Sequence, residues 1–181
     1  LTEGKMLVSK TLFLGGARSG KSRLAQATVE ACPGALTYIA TAQAFDDEMT
    51  ERIAHHRADR GPRWRTTECP LALPEAIATV TGGAILVDCL TLWLSNLMLG
   101  GHDIDAATQA LLSAIDTTPL PLAIVSNEVG MGIVPDHPLG RSFRDAAGRL
   151  NQAIAARVDT AYFVVAGLVI PLAPPPIAPA Q

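Results

Sequence analysis

Short, near-continuous apolar runs alternate along this chain with longer stretches whose apolar positions recur at helical spacing. The first run, TLFLGG (Thr11–Gly16), ends in glycines and predicts a buried strand. KSRLAQATVEAC (Lys21–Cys32) predicts a helix, stopped by Pro33-Gly34. ALTYIAT (Ala35–Thr41) predicts the next strand. DDEMTERIAHHRADR (Asp46–Arg60) predicts a charged helix with acids in its first turn, where the helix dipole favours them. A short helix over Pro70–Val80 precedes the strongly apolar GAILVDCLT (Gly83–Thr91), a strand with an aspartate near its C-terminal end.

Leu92–Leu99 and Asp105–Ile115 then predict two helices, the second capped by Asp103 or Asp105. PLAIVSNEVG (Pro121–Gly130) predicts a strand running into a glycine-containing loop, and Gly140–Asp159 a long amphipathic helix. Ala161–Ile170 closes the series as a buried strand. Strands that are apolar throughout, alternating with helices, indicate an α/β fold: a mostly parallel sheet flanked by helices.

Composition narrows this little further. At 181 residues the default is one domain, placed at 11–173, with a flexible leader over 1–10 and a Pro-rich tail over 174–181. A chain that is 49% hydrophobic and 17% charged can build a core and does not read as disordered. A net charge of −3 gives no sign of a nucleic-acid-binding surface. Cys32, Cys69 and Cys89 are widely spaced, as in a protein with reduced thiols. The uncharged stretch Ala161–Ala180 is interrupted by Pro171. Its continuous apolar part, about ten residues, is too short for roughly 30 Å of hydrocarbon. No stable membrane insertion is expected, and a cytoplasmic location is the default.

GGARSGKS carries the most recognisable chemistry. Gly15, four residues, then Gly20-Lys21-Ser22 is the phosphate-binding loop pattern, and it stands between a predicted strand and a predicted helix. The glycines let main-chain amides turn towards phosphate oxygens, and the helix start adds partial positive charge. Lys21 would reach the β- and γ-phosphates, and the Ser22 hydroxyl would join a Mg²⁺ shell. Arg18, inside the loop, either adds a charge or faces solvent. Asp88, at the end of another buried strand, fits a Mg²⁺ or ribose role, or an ordinary strand-end cap.

RIAHHRADR (Arg52–Arg60) places two of the four histidines side by side. Adjacent helical positions point about 100° apart, so His55 and His56 do not readily chelate one metal. Asp59 and Glu51 stand four residues either side of His55, and either could orient one ring nitrogen and leave the other free as a nucleophile. The alternative is a solvated face, with Arg52, Arg57 and Arg60 as phosphate partners or surface charge. SNEVGMGIVP (Ser126–Pro135) puts polar groups at the strand edge that the phosphate loop also occupies, or is a plain connection.

Taken in order and spacing, GGARSGKS, YIATAQAFDDEMTERIAHHRADR, WRTTE, SNEVGMGIVP and FRDAAGRLNQAIA resemble the bifunctional adenosylcobinamide kinase / adenosylcobinamide-phosphate guanylyltransferase family of cobalamin biosynthesis. The resemblance covers roughly residues 11–170. It implies a P-loop NTPase fold like the recombinase core, ATP and GTP as nucleotides with Mg²⁺, adenosylcobinamide and its phosphate as substrates, and a homotrimer. It also implies that His55 carries GMP covalently, and that nucleotide contacts fall on Gly15, Gly16, Ala17, Arg18, Ser19, Gly20, Lys21, Ser22, Ile39, Ala40, Thr41, His56, Arg57, Ala58, Asp59, Glu68 and Asp88. Some relatives carry glutamate at the position of Asp88. Apolar residues such as Trp93 and Leu94 could serve a subunit interface. A small-molecule kinase that leaves His55 idle, or a nucleotide-dependent switch, are the competing readings; the absence of an Asn-Lys-x-Asp guanine motif counts against the switch.

Overall fold

A computed structural model describes residues 9–43 and 61–172. They form one seven-stranded sheet flanked by helices. In chain order the elements are β1 (Lys10–Gly15), α1 (Lys21–Glu30), β2 (Leu36–Ala40), β3 (Trp64–Glu68), α2 (Leu73–Ala78), β4 (Ala84–Asp88), α3 (Leu90–Leu99), α4 (Ile104–Thr117), β5 (Leu122–Asn127), α5 (Pro138–Ala155), β6 (Thr160–Val165) and β7 (Leu168–Leu172). The strands lie in the order β3-β2-β4-β5-β1-β6-β7, and every pairing is parallel except β6 with β7. This is the P-loop NTPase architecture expected from the sequence, with β5 between the strand that precedes the phosphate loop and the strand that ends in Asp88.

Alternate residues of the inner strands feed two cores. Leu12, Leu14, Ile85, Val87 and Ile124 face one side, where α2, α3, α4 and α5 cover them. Phe13, Leu36, Leu86, Ala123 and Val125 face the other, against Ala25 and Val29 of α1. Burial on both faces is why these strands read as continuous apolar runs rather than as alternating ones.

Four elements differ from the sequence expectation. The Gly83–Thr91 run does not stay extended: β4 stops at Asp88, Cys89 is the extended N-cap residue, and α3 begins at Leu90. The closing run is two strands, because Ala166 and Gly167 take positive φ of 52° and 77° and fold β7 back along β6. Positive φ at both central residues is the two-residue hairpin turn that matches strand twist. β7 is exposed along its length and tolerates Pro171, as only an edge strand does. β3 is an added edge strand that no apolar run announces. Finally, Trp93 and Leu94 are fully buried in the larger core, so neither provides apolar surface for a partner.

Smaller shifts occur at the ends. Lys10, expected in the leader, belongs to β1, and its amide donates to the Asp159 carboxylate at 2.7 Å. Asp103 rather than Asp105 caps α4, accepting from the Ala106 amide at 2.9 Å. The predicted helix over 46–60 lies outside the described residues.

Candidate active site

Parallel pairing brings several strand ends to one edge of the sheet. Gly15 pairs with Asn127, and Ala40 pairs with both Glu68 and Asp88. Ligands of open α/β sheets bind outside this carboxyl edge. The residues singled out in sequence on the described strands therefore converge there.

The phosphate loop leaves β1 at Gly15 and enters α1 at Lys21. Its shape depends on two glycines. A Cβ on Gly15 would stand 2.3 Å from the Val164 carbonyl oxygen and 2.7 Å from Ser19 Oγ. Gly20 has φ +97°, in the left-handed region that side chains disfavour. Gly16, Ala17 and Arg18 are exposed along the outside of the loop. Arg18 has φ 57° and lies on the solvent side.

Lys21 is buried, and its ammonium donates to the Gly16 carbonyl at 3.0 Å across the loop. Burial pushes its pKa below the ordinary lysine value, against the opposing pull of Cys89 and Asp88. The Cys89 thiol is itself pushed up by burial and then by the Asp88 charge. It is therefore neutral at ordinary pH, which leaves Asp88 as the anion near Lys21. The Ser19 hydroxyl is buried without a hydrogen-bond partner, an exception among buried polar atoms.

Ser22 and Asp88 line one cleft of about 370 Å³ between α1 and the sheet edge, shared with Arg23, Glu30 and Tyr38. The Tyr38 hydroxyl donates to Asp88 Oδ2 at 3.1 Å and so orients the carboxylate. Tyr38 was not singled out in the sequence; its place in β2, two residues before Ala40, was the available signal. A hydroxyl and a carboxylate are hard oxygen donors. They fit Mg²⁺, which commonly takes one or two carboxylates and completes its shell with water and substrate phosphate. Among the described residues no cluster of three or more His, Cys, Asp or Glu offers an all-protein metal cage.

Thr41 is fully buried. Its hydroxyl donates to the Cys89 carbonyl at 2.7 Å and accepts from the Cys89 amide at 2.8 Å. Its own carbonyl accepts from Asn96 Nδ2 at 2.8 Å. The side chain is thus occupied in locking the end of β2 to the turn after Asp88. Ile39 is also fully buried and Ala40 nearly so, so that their side chains face the core. Glu68 is exposed at the end of β3. His55, His56, Arg57, Ala58 and Asp59 lie outside the described residues.

A second polar network holds the β5 end. Ser126 Oγ donates to Asn151 Oδ1 at 2.7 Å, Asn151 Nδ2 donates to the Asn127 carbonyl at 3.2 Å, and the Asn127 amide donates to Thr91 Oγ1 at 2.7 Å. The Glu128 amide then donates to the Gly15 carbonyl at 3.1 Å, so the loop after β5 is tied to the root of the phosphate loop.

Comparison with known proteins identifies a family and several relatives. Residues 11–172 match the family described as cobinamide kinase / cobinamide phosphate guanyltransferase. The chain is 49% identical over 172 residues to the bifunctional adenosylcobalamin biosynthesis protein CobP of Pseudomonas aeruginosa, covering 93% of this chain and 99% of that protein. It is 44% identical over 174 residues to the bifunctional adenosylcobalamin biosynthesis protein CobU of Salmonella typhimurium, covering 87% of this chain and 96% of that protein. The CobU protein of Escherichia coli is 42% identical over the same length.

Proposed function

The chain belongs to the cobinamide kinase / cobinamide phosphate guanyltransferase family, and from that premise we propose a division of labour among its residues. Lys21 and the loop amides hold the nucleotide phosphates in both reactions. Ser22 and Asp88 would hold Mg²⁺, which when bound would neutralise phosphate charge. In the kinase step the hydroxyl of adenosylcobinamide attacks the γ-phosphorus of ATP or GTP and gives up its proton to solvent, the bond to the β-phosphate oxygen breaks, and the nucleoside diphosphate leaves. Catalysis here is positioning and charge stabilisation, which a rigid cradle with a buried cation supplies.

In the guanylyl step a ring nitrogen of His55 attacks the α-phosphorus of GTP. The α–β bridging bond breaks and pyrophosphate leaves. The phosphate oxygen of adenosylcobinamide phosphate then attacks the guanylylated histidine. The P–N bond breaks, giving adenosylcobinamide-GDP and free imidazole. A covalent carrier splits one difficult transfer into two easier ones. Asp59 or Glu51 would orient the ring through its other nitrogen. The family resemblance further leads us to expect a cytoplasmic homotrimer, which sedimentation tests. No helix among the described residues is long and apolar enough to cross a membrane.

The observation that carries this reading is that Asp88 shares a cleft with Ser22 and acts electrostatically on Lys21, in a chain that matches the family over 11–172. Incubation with α-labelled GTP tests it. Acid-labile label on the protein, lost in His55→Ala while phosphorylation of adenosylcobinamide persists, is the expected result. Label retained in His55→Ala would move the nucleophile elsewhere.

A further inference from the structure

The loop leaving β5 is apolar where loops are usually polar. Met131, Ile133 and Val134 expose 79%, 98% and 58% of their surface. Side chains this exposed add nothing to the core, and a contiguous set of them marks a contact surface. The backbone beneath is nevertheless pinned at both ends. At the start, the Glu128 amide holds the Gly15 carbonyl and the Glu128 carboxylate accepts from the Gly130 amide. At the far end, the Arg141 guanidinium donates to the Pro135 and Asp136 carbonyls at 3.0 and 2.8 Å. The apolar side chains are presented outward by a tethered main chain.

We propose that Met131, Ile133 and Val134 seat the corrin macrocycle of the acceptor substrate. This rests on the reading of the site given above. The acceptor is a large ring whose rim carries methyl groups and carboxamides, with the reacting hydroxyl on a short arm. That hydroxyl must reach a phosphoryl group held by residues 15–22. The ring itself is too large to enter the phosphate loop, so it lies just outside the carboxyl edge of the sheet. Among the described residues two apolar surfaces there are hydrogen-bonded to the phosphate loop, the β6–β7 turn at Ser19 and the 128–137 loop at Gly15, and the latter carries the more exposed side chains, Met131 and Ile133. Apolar side chains match the methyl rim. The exposed main chain at Gly132 and the Gly130 carbonyl face solvent, where carboxamides can reach them. The loop then sets how far the arm projects, and so acts on acceptor binding rather than on nucleotide chemistry.

Equilibrium dialysis of cobinamide, followed by its visible absorbance, tests this on the full chain holding a non-hydrolysable ATP analogue. Ile133→Asp and the double variant Met131→Ser/Val134→Ser alter exposed positions, and an unchanged melting temperature checks that they fold. The dissociation constant for cobinamide should rise tenfold or more. Affinity for the analogue and GMP labelling from α-labelled GTP should be unchanged, and Ile133→Leu should restore cobinamide binding. Unaltered cobinamide affinity in both variants overturns the proposal. So does a shift in sedimentation that accounts for the loss, which would assign the loop to contact with a second copy. A parent protein that neither takes label nor binds cobinamide would instead sink the functional reading beneath it.

Discussion

The Gly167 amide donates to the Ser19 carbonyl at 2.8 Å, joining the β6–β7 turn to the phosphate loop. The Gly167 Cα also comes within 3.4 Å of where a Cβ on Gly20 would stand, and the Val164 carbonyl closes over Gly15. The cradle is therefore gripped from the side by the last hairpin. Its shape is set by a main-chain contact as well as by its own glycines.

Substituting the two ends of this grip should give different results. Gly15→Ala forces a Cβ against main chain, and overpacking of this kind costs roughly 1–3 kcal/mol. It should lower the melting temperature and weaken nucleotide binding together. Gly167→Ala keeps the amide donor and adds only left-handed strain, about 1–2 kcal/mol. Calorimetric melting should show a loss with nucleotide affinity nearly intact.

Lys21→Ala removes the buried cation of the loop. Loss of one preorganised charge-stabilising group typically costs about 10²–10³ in rate. Both phosphorylation of adenosylcobinamide and GMP labelling should fall by at least that factor, measured as separate half-reactions. A kinase loss without a labelling loss would show that the triphosphate is held differently in the two steps.

The lowered pKa of Lys21 makes nucleotide binding sensitive to alkaline pH. In the free protein burial disfavours the ammonium. Between the lowered value and the ordinary lysine value the unfolded chain binds more protons, so stability should rise with pH across that window. Bound phosphates restore the charged form, so binding there should take up a proton and weaken as pH rises. Below the window the lysine is charged in both states and uptake should vanish. Calorimetric titration in two buffers of different ionisation enthalpy reads the proton directly.

Thr41→Val tests the lock between β2 and the turn after Asp88. The Cys89 carbonyl keeps the Trp93 amide as a donor, but the Cys89 amide loses its acceptor. Leaving one buried donor unpaired costs about 1–3 kcal/mol. For a domain of this size that lowers the melting temperature by several degrees, on the order of 2–4 °C per kcal/mol. If the lock also aims Asp88, the concentration of Mg²⁺ needed for half-maximal phosphorylation should rise in the same variant.

Much of this arrangement could be read in the sequence because its causes are local. The glycine spacing from Gly15 to Gly20 dictates a loop, and four buried residues before Asp88 dictate a strand with its acid at the edge. What escaped depends on neighbours. β3 is an exposed edge whose residues alternate little in polarity, so no apolar run announces it. The β6–β7 turn hides inside an apolar stretch, where Gly167 was the only punctuation. Trp93 and Leu94 looked suited to an interface because α3 is apolar nearly all round. A helix of that kind is instead enclosed by its own sheet and neighbouring helices. Tyr38 acquires its role only once β2 lies beside β4.

The hairpin grip has a consequence for synthesis. Ser19 is translated well before Gly167. An emerging polypeptide thus displays the phosphate loop long before the turn that clasps it exists. The loop therefore gains this brace only when the β6–β7 hairpin docks, a contact between distant parts of the sequence and hence a slow one to close.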